Sequence, residues 1–178
     1  MTQCVSCSVG TANAQTRQSS CAACLPGFFA NTTGLFDCYA CAIGTSQPSN
    51  GQSSCAPCIQ GTYQSSTAQS NCLSCAVGSF SNLTGSAACT SCPIGTSQSA
   101  PGQTNCTACS FGKFNGAPGQ SSCTNCPVGT FANQTGLIQC LACEIGSFQN
   151  SPGQSLCVDC AAGTYQDQPQ QTSCNIIK

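Results

Sequence analysis

Histidine and tryptophan are absent, methionine occurs once, and charged residues make up only 4% of the 178 residues. The charges are Arg17, Lys113 and Lys178 against Asp37, Glu144, Asp159 and Asp167. Each of these shortages excludes something. General acid–base chemistry draws on histidine or on a closely placed carboxylate pair, and the four acids stand in separate stretches with no common spacing. Without histidine no Ser/His/Asp set can be assembled. Three cations make no basic patch with which to neutralise phosphates, so no nucleic-acid binding is expected. No apolar run approaches the length of a membrane span, and no secretory signal pattern opens the chain. No window of ten residues places apolar side chains at helical spacing, so almost no helix is expected. The composition predicts no catalytic residue, no cofactor and no metal. A net charge of −1 leaves little electrostatic protection against self-association, which is therefore an expected property.

Large apolar side chains are scarce too. Val, Ile, Leu and Phe number 27 of 178, below the level at which a shared hydrophobic core is expected. Ordering the backbone costs about 1–2 kcal/mol per residue, so another source of order is needed. Twenty-one cysteines supply it. Such density is the mark of a disulfide scaffold made in an oxidising compartment, which places the chain as secreted or at a cell surface.

The cysteines are strictly periodic. Pairs begin at Cys4, Cys21, Cys38, Cys55, Cys72, Cys89, Cys106, Cys123, Cys140 and Cys157, and each is followed three residues later by a second cysteine and three beyond that by a glycine, from Gly10 to Gly163. The rule is C-x2-C-x2-G-x10, so residues 4–173 are ten tandem 17-residue repeats and residues 174–178 open an eleventh that is cut short, as expected of a segment of a longer chain or a mature product. An aromatic stands two residues after most of the glycines (Phe29, Tyr63, Phe80, Phe114, Phe131, Phe148, Tyr165), with Ser46 and Ser97 as exceptions, and repeat one lacks it. Turn sequences such as Pro48-Ser49-Asn50-Gly51 follow, which describes short β-hairpins or loops. The aromatics are expected to plug against the disulfides. A longer period of 51 residues lies on top: Asn31-Thr32-Thr33-Gly34, Asn82-Leu83-Thr84-Gly85 and Asn133-Gln134-Thr135-Gly136 recur in repeats two, five and eight. Either a triplet was duplicated with no structural meaning, or successive repeats rotate by roughly a third of a turn so that every third faces the same way.

Paired C-x2-C motifs also occur in zinc sites, but the lone Cys174 would be left over, and nothing around any pair resembles a thioredoxin-like redox site. Three regular disulfide schemes exist: pairing within each C-x2-C, a crossed scheme beginning Cys4–Cys24, and pairing of each second cysteine with the first of the next repeat. The last is favoured, because each bond closes a loop of about 15 residues, worth roughly 3 kcal/mol by chain entropy, and because it uses Cys174. It predicts Cys7–Cys21, Cys24–Cys38, Cys41–Cys55, Cys58–Cys72, Cys75–Cys89, Cys92–Cys106, Cys109–Cys123, Cys126–Cys140, Cys143–Cys157 and Cys160–Cys174, with Cys4 left for a partner outside the chain. Asn31, Asn82 and Asn133 fit the N-glycosylation acceptor pattern at one repeat position and are expected to carry glycans. Asn105 fits it as well, but is a weaker candidate because its neighbour Cys106 is a bridged cysteine.

The pattern C-x2-C-x2-G-[ST]-[FY]-x9-C, whole in Cys72 to Cys89 and Cys123 to Cys140, resembles the ephrin-receptor-like cysteine-rich repeat, a relative of growth-factor-receptor and tumour-necrosis-factor-receptor modules. The resemblance implies extracellular rods of disulfide-stapled hairpins and supports the consecutive pairing. The receptor modules vary their spacing and interleave bridges, whereas this chain keeps 17 residues throughout. The expected fold is small, disulfide-rich β, with tandem hairpin repeats stacked into an elongated rod or solenoid. Two strands per repeat at about 4.8 Å would advance it by roughly 10 Å per repeat. The expected function is an extracellular structural repeat protein that forms a rod or fibre, such as a surface coat, filament or appendage. A receptor or adhesin ectodomain that binds a ligand is the alternative, and a cysteine-rich metal-binding protein the remote one.

Overall fold

The computed structural model describes residues 6–13 and 20–177. Cys4, Arg17 and Lys178, and with them the expectation of an outside partner for Cys4, lie outside the described residues. The chain divides into two compact units, one of residues 1–76, 80–90 and 101–104, the other of residues 77–79, 91–100 and 105–178. Both are built from one local motif. Among the described residues there is no helix, and every strand is two residues long, from Thr11–Ala12 to Asn175–Ile176. The strands make ten two-stranded sheets, each joining neighbours in sequence.

The residues of one repeat dictate this motif. After the second cysteine, two residues and the glycine make a tight turn: the amide of Thr45 donates to the carbonyl of Ala42 at 3.1 Å, and Gly44 at the third turn position has φ +76°. That is a type II turn, which needs a positive φ at that place. Thr45 and Ser46 then form a strand paired antiparallel with Ala56–Pro57, the two residues after the next repeat's first cysteine, in the register Thr45↔Pro57 and Ser46↔Ala56. The polar nine-residue stretch between them returns the chain. In the other unit, Lys113–Phe114 pairs in the same way with Thr124–Asn125. The chemistry of the hairpin is therefore shared between two repeats, since one supplies the outgoing strand and the next supplies the returning one.

A two-stranded hairpin of this size is not stable alone, and backbone bonds to neighbouring repeats extend it. In the first unit the amide of Gly44 donates to Gln64 at 2.7 Å, that of Gln47 to Gln69 at 3.2 Å, that of Gly51 back to Cys24 at 2.8 Å, and that of Cys58 to Gly44 at 2.8 Å. In the second unit Gly112 donates to Ala132 at 2.9 Å, Asn115 to Leu137 at 3.0 Å, Gly119 to Cys92 at 2.8 Å and Cys126 to Gly112 at 2.8 Å. Contact reaches one repeat further still. A Cβ on Gly44 would overlap the carbonyl of Gly85, and one on Gly112 that of Gly153. From Gly10 to Gly129 the glycine after the cysteine pair is thus required twice, by its φ and by the backbone that lies against it, whereas Gly146 and Gly163 are required by their φ alone.

The buried apolar side chains are mostly cysteine. Cys24, Cys41, Cys58 and Cys75 in the first unit and Cys92, Cys109, Cys126 and Cys143 in the second are the largest fully buried side chains. Leucine, isoleucine and valine, which would make the core of an ordinary domain, are largely exposed: Leu25, Ile59 and Ile145 each keep more than 65% of their surface. The low count of large apolar residues therefore matches a fold that does not bury them.

Candidate functional site

The cysteines are joined in one pattern along the described chain. The second cysteine of each repeat is bonded to the first of the next, at a sequence separation of 14 and Cα–Cα distances of 5.6–5.8 Å, from Cys7–Cys21 to Cys160–Cys174. Each bond ties the start of a glycine turn to the start of the returning strand, so it closes the base of its hairpin. These cysteines hold no free thiolate with which to bind a metal, and no group of three or more His, Cys, Asp or Glu among the described residues could do so.

The repeat aromatics pack across their own hairpins. Phe29 faces Tyr39 with ring centroids 5.7 Å apart and tilted by 47°, Tyr63 faces Leu73, Phe131 faces Leu141 and Phe148 faces Val158. Where serine replaces the aromatic, the hydroxyl lies against a disulfide: Ser46 Oγ is 3.3 Å from Cys72 Sγ, and Ser97 Oγ is 3.3 Å from Cys123 Sγ. The position thus looks both across the hairpin and onto a sulfur, and small or large side chains fill it by different contacts.

Two recurring polar devices escaped the sequence reading. The residue after the glycine is usually Thr or Ser, and its hydroxyl donates to the carbonyl three residues back: Thr45 to Ala42 at 2.8 Å, Thr62 to Ile59 at 2.7 Å, Thr96 to Pro93 at 2.7 Å, Ser147 to Glu144 at 2.9 Å. Only Phe28 and Lys113 break this rule. Three residues after the glycine stands a side-chain amide that brackets the loop. Gln64 donates from Nε2 to the carbonyl of Asn71 at 2.7 Å and accepts at Oε1 from the amide of Ser66 at 3.1 Å, while only 4% exposed. Gln47, Gln98, Gln149 and Gln166 do the same. Gln64, Gln98, Gln149 and Gln166 are buried and Gln47 is half-buried; burial of such amides is possible because both ends are satisfied, and among the described residues no buried side-chain nitrogen or oxygen lacks a partner. A signal was present, since glutamine recurs at one offset, but in a chain rich in glutamine it did not stand out.

The 51-residue period has a counterpart here. In repeats two, five and eight the bracket position holds the small buried Ala30, Ser81 and Ala132, and the acceptor-pattern asparagine follows at once. Asn31, Asn82 and Asn133 are exposed, as are Thr33, Thr84 and Thr135. Loops held from within by a glutamine thus alternate with loops whose polar side chain points outward. Asn105 is different. It is exposed, but its carbonyl accepts from Gln98 Nε2 at 2.8 Å, Cys106 is bonded to Cys92, and Thr107 is paired with Ser97 in a hairpin.

One apolar groove of about 250 Å³ is lined by Ala12, Ala22, Ala23, Leu25, Phe28 and Phe36, with Asp37 beside the bonded Cys24 and Cys38. It lies where repeat one carries Ala12 in place of an aromatic.

A family model described as tyrosine-protein kinase ephrin type A/B receptor-like matches residues 27–68, 51–86, 61–109, 78–121, 95–137 and 112–156. The six matches overlap and together run from residue 27 to residue 156. The chain belongs to the ephrin-receptor-like family. Ephrin-receptor-like repeats closed by ten disulfides mark an extracellular or cell-surface domain, in keeping with the oxidising compartment that the cysteine content requires. The ephrin-receptor-like repeat is a non-catalytic domain type. No curated protein matches the chain by direct sequence comparison. No helix among the described residues is long and apolar enough to cross a membrane.

Proposed function

We propose that this ephrin-receptor-like chain is a structural element of an extracellular coat, filament or appendage, working as a rod or fibre and carrying N-linked glycans on Asn31, Asn82 and Asn133. The observation that carries the reading is the sameness of the neighbour bonds: repeat after repeat donates from the same backbone amides to the adjacent repeats, while its side-chain amide holds its own loop. Such an array lengthens by addition, as repeat proteins with nearest-neighbour interfaces do. The exposed asparagines one loop in three supply polar bulk that the chain's few charges do not. Imaging of native material tests the first part, and compact globular particles would refute it. Intact mass before and after enzymatic deglycosylation tests the second. The expected result is a loss of three glycans, removed one at a time by Asn31→Gln, Asn82→Gln and Asn133→Gln and unaffected by Asn105→Gln. An unchanged mass would remove the idea.

A ligand-binding receptor or adhesin ectodomain is the second reading, and the groove at repeats one and two favours it, because exceptions to the repeat gather there.

A further inference from the structure

The two places where the repeat loses its turn hydroxyl carry complementary chemistry. Phe28 stands where Thr or Ser is the rule, and lines the groove with Leu25 and Phe36, which remain 67% and 65% exposed. Asp37 sits at its rim. One carboxylate oxygen, Oδ1, accepts from the Cys38 amide at 2.8 Å, and the carboxylate has no cation beside it among the described residues. The other departure is Lys113, exposed on a strand, with Phe111 two residues before it and 58% exposed. Lys113 is the one cation among the described residues, and it too has no side-chain partner there. Neither departure helps the hairpin, since each removes a hydroxyl-to-carbonyl bond that the other repeats make.

We propose that the groove takes a second copy of this chain, with Phe111 of that copy entering between Leu25, Phe28 and Phe36 and Lys113 meeting Asp37. The inference rests on the self-associating fibre reading and names its contact. The match of the exposed Lys113, with the exposed Phe111 next to it, to a carboxylate beside an apolar slot argues for this occupant. An exposed aromatic anchor flanked by a charge is the usual form of a docking residue and its orienting partner. Groove and knob are different surfaces of one chain, so a copy whose groove is filled still offers its own knob, and a head-to-tail arrangement of this contact would extend an array.

Sedimentation of the native oxidised chain across concentrations tests this with three variants. Asp37→Lys and Lys113→Asp each oppose like charges, and each should weaken association by at least about tenfold. Mixed together they should associate again, because each restores the pair that the other lacks. Asp37→Asn keeps an oxygen for the Cys38 amide and should weaken association without the repulsion, which guards against a mere loss of local structure. Undiminished association of the single variants, or a mixture no better than its components, would overturn the contact and leave self-association standing. A wild-type chain that stays monomeric at the highest soluble concentration would overturn self-association itself. In that case, binding of a synthetic Ser-Phe-Gly-Lys-Phe peptide to wild type but not to Asp37→Lys would assign the groove to a basic segment of another protein.

Discussion

Replacing Gln64 by alanine isolates the buried amide bracket. The side chain makes two bonds to the backbone, 2.7 Å to the carbonyl of Asn71 and 3.1 Å from the amide of Ser66, in a site only 4% exposed. Each such bond contributes about 1 kcal/mol net, and the loss of both costs about 2 kcal/mol. Loss of one buried methylene adds about 0.8 kcal/mol. The array is not a two-state domain, so a single unfolding midpoint is the wrong measure. Hydrogen exchange is the right one, because it reads the opening of individual loops. At about 1.4 kcal/mol per decade, the loss of the two bonds alone should speed exchange of the Ser66 amide roughly thirtyfold. Gln64→Glu keeps an acceptor for Ser66 but has no donor for Asn71, so it should spare Ser66 and loosen the far end of the loop. Unchanged exchange at Ser66 in Gln64→Ala would refute the bracket as a source of loop order.

Gly44→Ala should cost several kcal/mol, because the left-handed φ alone costs about 1–2 kcal/mol and the new methyl would also overlap the Gly85 carbonyl. Gly51→Ala shares the positive φ, but its nearest neighbour would be Ala23 Cβ at 3.7 Å, so it should show only the backbone cost when the two are compared by urea resistance. Removing the Cys58–Cys72 bond as a double serine variant should cost about 3 kcal/mol by loop closure. Exchange mapping should find the damage in the hairpin of Thr62–Tyr63 and Leu73–Ser74, and a loss of protection spread evenly over the chain would contradict the nearest-neighbour account.

Much of the fold was legible because two residue types carry it. Cysteine and glycine at a fixed offset leave little else for the backbone to do, and both the hairpin and the fate of the large apolar side chains follow from them. The register is a consequence of the same spacing, since the cystine fixes where the returning strand begins. What was not legible is the polar chemistry within the loops. Gln64 and Gln69 look alike in sequence, yet the first is buried and brackets its loop while the second is exposed and donates to the carbonyl of Thr67 at 3.1 Å. Only the fold of the loop decides which amide can reach both ends. Phe28 and Lys113 were equally silent, because a departure from a consensus has no meaning until the bond that the consensus makes is known. The groove depends on residues 12 and 36 coming together, and no local pattern marks that.

The approach of Gly44 to the Gly85 carbonyl, two repeats along, has an evolutionary corollary. The contact is made of backbone alone, so it places no demand on side chains beyond glycine itself, and three successive repeats are the smallest stretch that contains a whole set of such neighbours. Recombination that adds or deletes whole 17-residue units recreates every junction as it was, whereas a shift by any other number of residues would set a Cβ or an unpaired amide against the turn. Array length is therefore a quantity that unequal crossing-over can change in single steps, each product folding by contacts already in use.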